Sequence, residues 1–305
     1  MNMKLAIKSL NLQFLFTNFA IFLIFIGCIN GNPKTDFEAV ADTIEIQSQS
    51  LQNKFESTSA IAKAFDWTKT KKLKQKLLSD LRNTNHIDKT LISFLNELEQ
   101  LEYAFNDILI TLPSYDSLNT LAYSVDGLVY DNAIKFESLA EKNGFSIAQS
   151  EGMIFLTMNT NFVKSEVMES LDPLSAEFLN LYCSEIDSVC CSDGAIIISE
   201  KELVLRAFLW GNLMEKSRDS EYYDRAKFNF YNYISLIYIG LNNTPSFDYD
   251  SGIYNKNLFN LMNEIIDQYP NSLAAEEFKE YTEILVEENF KQTDKVMKYV
   301  NEKIP

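Results

Sequence analysis

Apolar residues recur at intervals of three and four along most of the chain, and this spacing predicts α-helices that each bury one face. The spacing is clearest from Leu91 to Leu109, and Pro113 ends that helix. Glycine and proline, which an all-β fold needs at its many turns, number only 9 and 6 among 305 residues. The chain is therefore expected to fold as a mainly α protein.

Two of these helices are expected to form an antiparallel hairpin. Asp66 or Thr68 can cap a helix over residues 69–82, and Asp88 can cap the longer helix that follows. His86, the only histidine, lies in the loop between them. A single histidine excludes metal sites with several histidines, and it excludes a Ser-His-Asp triad unless His86 itself serves. We therefore expect no catalytic residues, no metal site and no cofactor.

The helical spacing is interrupted once, by the shorter period that strands require. Residues 145–149 and 153–158 predict a small β-hairpin around Ser150-Glu151-Gly152. Helices resume at Pro173, with Asp172 as the cap. A Ser-x-x-Glu capping box, from Ser199 to Glu202, marks a second start. The predicted C-terminal helices cover residues 174–185, 199–216, 221–241, 255–269, 273–288 and 293–302.

Aromatic residues are concentrated in the predicted helix at 221–241. Seven of them fall within 17 positions, and so many rings on one helix cannot all face water. Most are therefore expected in the core, as are the two tryptophans, Trp67 and Trp210.

One turn in the C-terminal part resembles that of a tetratricopeptide-like repeat. The segment from Tyr269 to Ser272 closes one helix, and Ala274 and Ala275 open the next with side chains small enough to let two backbones approach. A second copy is poorly marked, the best candidate being residues 220–227, so no regular array is predicted. The resemblance implies stacked antiparallel helix pairs over about a third of the chain.

The N-terminus has the composition of an export signal. Residues 1–27 contain no acidic residue, and apolar side chains predominate from Leu10 to Ile26. The segment Phe25-Ile26-Gly27-Cys28 resembles a bacterial lipobox, which implies cleavage before Cys28 and attachment of a lipid to its thiol. An uncleaved apolar anchor is the alternative. Both interpretations place the rest of the chain outside the cytoplasm.

We therefore expect a lipid-anchored protein of the bacterial cell envelope, with the outer membrane favoured over the inner one. The expected segments are a signal peptide at 1–27, a tether at 28–35, an N-terminal helical region at 36–144, the hairpin and a connection at 145–172, and a C-terminal helical domain at 173–305.

The mature chain is strongly acidic. Removal of Lys4 and Lys8 with the signal peptide leaves 25 basic against 43 acidic residues, a formal net charge of −18. Nucleic acid is not an expected partner, because phosphate contacts need clustered lysine and arginine. The basic run from Lys69 to Lys76 is explained more simply as the solvated face of a helix. The expected partners are the membrane, through the lipid, and a protein of the envelope.

Three cysteines follow the lipidated one, at Cys183, Cys190 and Cys191. Residues seven apart on one helix lie about 10.5 Å from each other, beyond the roughly 7 Å that a disulfide can bridge. A bond from Cys183 to Cys190 or Cys191 therefore requires the helix to end near Asp187, and we expect such a bond. The alternative is three buried thiols.

The connection at 241–250 is the first candidate for a binding site, because polar and aromatic loops between helices often carry binding groups. Its candidate residues are Asn243, Asp248, Tyr249 and Asp250. The alternative is a structural loop in which Asn243 caps the preceding helix and Pro245 prevents its continuation.

Two further hypotheses involve the carboxylates. The run Asp248-Tyr249-Asp250-Ser251-Gly252 is similar to the opening of a calcium loop, but Leu258 stands where that loop requires a glutamate. Glu151, at the predicted hairpin tip, could pair with Asp248 or Asp250 for glycoside chemistry. Nothing in the sequence brings these groups together.

Three segments together resemble a group of secreted or lipid-anchored bacterial proteins with no established activity. They lie at 143–152, 179–182 and 240–249. The resemblance implies a helical envelope domain without catalytic residues. We expect a protein-interaction or scaffold module. The alternative is an envelope enzyme, or a glycan- or ligand-binding lipoprotein, that uses the carboxylates at 151 and 248–250.

Overall fold

The structure is a computed structural model. It describes residues 63–304 with the exception of residues 113–114, 116–130, 151–152 and 166. All of these described residues belong to the second of two units into which the chain divides, Lys54–Pro305. The predicted signal peptide, the tether, Cys28 and positions 36–62 of the N-terminal helical region lie outside the described residues.

Ten α-helices account for most of the chain that the structure describes, so the predicted mainly α fold is confirmed. They are α1 (Thr68–Asn83), α2 (Ile87–Thr111), α3 (Asp131–Glu141), α4 (Thr160–Lys164), α5 (Pro173–Asp187), α6 (Glu200–Lys216), α7 (Tyr223–Tyr238), α8 (Lys256–Gln268), α9 (Leu273–Glu287) and α10 (Asp294–Lys303). A single 3₁₀ turn spans Met168–Ser170. Among the described residues, no helix combines the length and the apolar content needed to cross a bilayer.

Helices α1 and α2 pack together as the predicted hairpin. Asp66 accepts hydrogen bonds from the backbone N–H and the hydroxyl of Thr68, at 3.3 and 2.6 Å. The prediction that Asp88 caps α2 is wrong. The Asp88 carboxylate instead accepts the Ser220 hydroxyl at 2.9 Å and the Glu221 backbone N–H at 3.0 Å, so it fixes the turn that precedes α7.

Two predicted helix starts in the C-terminal part are confirmed, because each predicted cap residue accepts a hydrogen bond from the first turn of its helix. Asp172 accepts from the backbone N–H of Ser175 at 3.0 Å, with Pro173 at the first helical position of α5. Ser199 accepts from the backbone N–H of Glu202 at 3.2 Å at the start of α6.

Helix α6 lies at the centre of the C-terminal part, in contact with α5, α7, α8 and α9. Its Gly211 permits this crowding, because a Cβ atom there would lie 3.0 Å from the Phe230 ring of α7 and 3.8 Å from the Ala274 nitrogen of α9. Ala274 and Ala275 are both buried, as their small size led us to expect. The consecutive pairs α6–α7 and α8–α9 form the stacked helix pairs.

Most of the aromatic residues of α7 and its preceding turn are in the core, as predicted. The buried ones are Tyr222, Phe230, Tyr233 and Tyr238. Trp67 and Trp210 are also buried. Tyr223 and Tyr231 are half-buried, and Phe228 is 54% exposed.

A polar network joins α5, α6 and α7 within this core. Arg206, only 5% exposed, donates to the Glu185 carboxylate at 3.0 Å and to the Glu202 carboxylate at 3.1 Å. Trp210 donates to the second Glu185 oxygen at 2.8 Å, and the Tyr233 hydroxyl also donates to Glu185. Several donors on one carboxylate satisfy a group that would be costly to bury alone.

The predicted β-hairpin is confirmed, with β1 (Phe145–Ser150) antiparallel to β2 (Met153–Met158). The outer edge of β2 is covered by side chains rather than by a third strand. Asn106 of α2 accepts from the Leu156 N–H at 2.7 Å and donates to the Leu156 carbonyl at 2.8 Å, while Glu102 accepts from the Met158 N–H at 2.7 Å. This satisfies an edge that would otherwise expose unpaired backbone groups.

Two shorter hairpins were not predicted. The first pairs β3 (Cys191–Ser192) with β4 (Ala195–Ile196), and the second pairs β5 (Gly240–Leu241) with β6 (Thr244–Pro245).

Candidate functional site

The candidate loop begins with a glycine that ends helix α7. Gly240 has φ +73°, and a Cβ atom on it would lie 2.3 Å from the carbonyl oxygen of Thr244. Only glycine fits this position without moving the backbone of β6. The helix therefore ends at Tyr238, three residues before the predicted end at 241, and the chain reverses into the β5–β6 hairpin.

The two short hairpins are joined by hydrogen bonds, which we call the clasp. The Asn243 backbone N–H donates to the Gly194 carbonyl at 2.9 Å, and its side-chain amide donates to the Asp193 carbonyl at 2.5 Å. The Ile196 N–H donates to the Thr244 hydroxyl at 2.6 Å. The Asn243 side chain thus holds a turn 50 residues earlier in the chain, where Asp193 and Gly194 both have positive φ.

After the clasp, the loop makes a tight turn organised by Asp248. One carboxylate oxygen accepts both the backbone N–H of Ser251, at 2.8 Å, and its hydroxyl, at 2.7 Å. The Gly252 N–H donates to the Asp248 carbonyl at 2.8 Å. The hydrogen bonds from Ser251 hold the pKa of Asp248 below its usual value. The Asp248 carboxylate therefore serves to fix the turn through its hydrogen bonds with Ser251.

Tyr249 and Asp250 stand at the exposed end of this turn. Tyr249 is 75% exposed, more than any other large hydrophobic side chain among the described residues. Its hydroxyl nevertheless donates to the backbone carbonyl of Asn242, which fixes the ring against the loop. An exposed aromatic ring held in one orientation is a suitable contact for another molecule.

A shallow depression of about 580 Å³ lies beside Tyr249 and is open to solvent. It is lined by Pro245, Ser246, Asp248, Tyr249, Asp250, Ser251, Ile253, Tyr254 and Asn255. We call this set the Tyr249 surface. The buried Tyr254 forms part of its floor and donates its hydroxyl to the Ile237 carbonyl at 2.8 Å. Asn255 caps α8 and donates to Glu200 at 2.6 Å, so the surface rests on fixed residues.

The Tyr249 surface is polar and aromatic. Its lining contains carboxylates, an amide, hydroxyls and aromatic rings. The surface therefore offers an aromatic face with negative charge beside it.

Two other residues considered from the sequence are Glu151 and His86. Glu151 lies outside the described residues, so the composite site with Asp248 or Asp250 stays a hypothesis. His86 is exposed in the loop before α2. In the ranges that the structure describes, no three His, Cys, Asp or Glu side chains are grouped closely enough to hold a metal ion.

The expected disulfide from Cys183 to Cys190 or Cys191 is not formed, and all three residues are free thiols. Helix α5 does end at Asp187, as the bond required, but Cys183 is fully buried on its core-facing side. The Cys191 sulfur instead lies 3.2 Å from the Cys190 sulfur, within hydrogen-bond distance. The two adjacent cysteines, half-buried at the start of the β3–β4 hairpin, form a pair of their own.

Sequence reasoning missed two sets of polar residues. Arg206 could have been noticed, because it interrupts the apolar run from Leu203 to Leu209 at a position that faces the core. Asn106 and Glu102 carry no comparable signal, since polar residues are ordinary on an exposed helix face and only the fold brings β2 to them.

No family model matches the sequence, and no curated protein or solved structure is significantly similar to it.

Proposed function

We propose that the protein is a lipid-anchored lipoprotein of the bacterial envelope that binds a partner protein through the Tyr249 surface. The N-terminal pattern that ends at Cys28 supports the anchor. The stacked helix pairs α6–α7 and α8–α9 support a binding role, because such pairs present fixed surfaces for other proteins.

The observation that carries this proposal is that Tyr249 is both exposed and held in one orientation. Its ring is mostly exposed, yet the hydrogen bond to the Asn242 carbonyl and the clasp at Asn243 hold it in place. A side chain that is ordered before binding loses little conformational entropy when a partner covers it. Tyrosine is also among the residues that dominate protein interfaces.

The charge beside Tyr249 indicates the chemistry of the partner. Asp248 and Asp250 are both exposed at the rim of the depression. The mature chain as a whole carries more acidic than basic residues, 43 against 25. A partner segment with lysine or arginine next to an apolar side chain would complement both features.

The binding proposal is tested by crosslinking in intact cells followed by purification of the protein in detergent. The wild type should recover one envelope protein, and Tyr249→Ala should weaken its binding at least tenfold, since loss of an anchor residue costs more than about 1.4 kcal/mol. Tyr103→Ala is a matched control, because Tyr103 is also exposed, at 53%, but lies on α2. Recovery of the same protein in equal yield from wild type and Tyr249→Ala would refute the proposal.

The anchor is tested separately by labelling cells with a fatty-acid analogue. Label should enter the wild-type protein and be lost from Cys28→Ser, because that thiol is the proposed attachment point. Label that persists in Cys28→Ser would contradict lipid attachment at this residue without bearing on the Tyr249 surface.

A further inference from the structure

The two adjacent cysteines have an arrangement that a strand does not ordinarily produce. Successive side chains of a strand point to opposite faces, which separates neighbouring sulfur atoms. Here the chain bends at Cys190 before β3 begins at Cys191, and the two sulfur atoms lie 3.2 Å apart. The Cys190 carbonyl accepts the Ile197 N–H at 2.8 Å, which fixes that bend. The pair is therefore held ready to react as a unit.

The three thiols differ in their accessibility and acidity. Cys190 and Cys191 are half-buried, whereas Cys183 is fully buried. Burial raises the pKa of the Cys183 thiol to about 12, which keeps it protonated and unreactive. The contact between the two sulfur atoms, 3.2 Å apart, lowers the pKa of Cys191 and raises that of Cys190. We therefore assign the attack to Cys191 and the second step to Cys190, the only thiol that lies within reach of the Cys191 sulfur among the described residues.

We propose that Cys190 and Cys191 form a thiol–disulfide exchange site for low-molecular-weight disulfides, with a bond between the adjacent cysteines as the oxidised state. The Cys191 thiolate attacks one sulfur of the small disulfide, forms a mixed disulfide and expels one thiol. Cys190 then loses its proton and attacks the Cys191 sulfur, which expels the second thiol. The two cysteines together lose two electrons and two protons, and the small disulfide is reduced to two thiols.

Backbone geometry explains why this bond would act in exchange and not as a permanent staple. Adjacent Cα atoms are about 3.8 Å apart across a trans peptide bond. Ordinary disulfides join Cα atoms about 4.4–6.8 Å apart, and shorter spans store strain that makes the bond easier to reduce. A bond between Cys190 and Cys191 is therefore expected to be reduced more readily than a bond to Cys183 would be.

The test begins with the fully reduced protein in detergent, which is treated with oxidised glutathione, alkylated and digested after glutamate residues. Cleavage after Glu185 separates Cys183, in the peptide 178–185, from the adjacent pair, in the peptide 186–200. We expect the second peptide to lose two hydrogen atoms and to escape alkylation, while Cys183 is alkylated only after unfolding. Cys183→Ala should behave like the wild type in the second peptide.

Single substitutions separate exchange from simple oxidation. In Cys190→Ser the reaction should stop at a stable glutathione adduct on Cys191, because the resolving thiol is missing. In Cys191→Ser the rate of adduct formation should fall at least tenfold, since the more acidic thiol is removed. A crosslink between the peptides 178–185 and 186–200, a stable adduct in the wild type, or equal rates in both serine variants would each overturn the proposal. Far-UV circular dichroism of every variant confirms that it is folded.

Discussion

Replacement of Gly240 by alanine should destabilise the protein by about 3–4 kcal/mol, for two separable reasons. The first is backbone conformation, since φ at this position is +73° and a left-handed conformation costs a non-glycine residue about 1–2 kcal/mol. The second is steric, because the new Cβ atom would lie 2.3 Å from the Thr244 carbonyl oxygen, where about 3.3 Å is the ordinary limit.

Relief of that overlap requires strand β6 to move away by about 1 Å, because the obstructing atoms belong to its backbone. Two hydrogen bonds depend on the present position of β6. They join Ser246 N–H to the Ile239 carbonyl at 3.2 Å and Ile196 N–H to the Thr244 hydroxyl at 2.6 Å. Each contributes about 1 kcal/mol, so their loss adds about 2 kcal/mol to the cost of the conformation.

Gly252→Ala is the matched control. Gly252 also has positive φ, at +63°, but no atom lies within 4 Å of the position its Cβ would take. This variant should therefore lose only about 1–2 kcal/mol. Urea unfolding followed by circular dichroism measures both values, provided that the slope with denaturant is unchanged. Equal losses of stability in the two variants would refute the argument that the contact with Thr244 is what requires glycine at 240.

Two further perturbations concern buried charges. Burial raises the pKa of Glu102 from 4.5 to about 7, so its contribution to stability is complete below about pH 4.5 and is lost as the pH rises through about 7. The free energy of unfolding should therefore decline by at most about 3 kcal/mol between about pH 4.5 and pH 7. Glu102→Gln should remove this decline. Glu264→Gln, a control at an exposed position of α8, should leave it unchanged. Arg206→Met should cost about 3 kcal/mol, because it leaves the partly buried Glu185 without its cation. Addition of Glu185→Gln should recover part of that loss in a double-mutant cycle, and strictly additive losses would contradict the ionic pairing.

The helices could be predicted because their signals are local. Asp172 and Ser199 each bond to an N–H three residues further along, so the same few residues contain both the donor and the acceptor. The prediction failed where the partner is distant. Asp88 has the right chemistry to cap α2, but its carboxylate bonds to Ser220 and Glu221, 132 and 133 residues away. No local pattern contains that information.

The same distinction explains how much of the candidate site could be predicted. The composition of the loop at 241–250 was enough to mark Tyr249 as a candidate, but not to show that its ring is exposed and fixed. Asn243 was assigned a capping or a binding role, whereas its amide bonds to Asp193. Helical spacing gives the distance from Cys183 to the other two cysteines on a continuous helix. It does not predict the bend at Cys190 that brings the Cys190 and Cys191 sulfur atoms together.

The clasp connects the two features that we propose to be functional. The exchange site begins the β3–β4 hairpin, and the Ile196 N–H of that hairpin is bonded to Thr244, which precedes Tyr249 by five residues. A change in the backbone at Cys190 is expected to reach the Tyr249 surface through the three hydrogen bonds of the clasp. Because each of these bonds contributes about 1 kcal/mol, oxidation should alter partner affinity by no more than about a hundredfold. A larger change in affinity would require contacts between the two sites other than the clasp. The two proposals are independent of each other, so neither depends on such coupling.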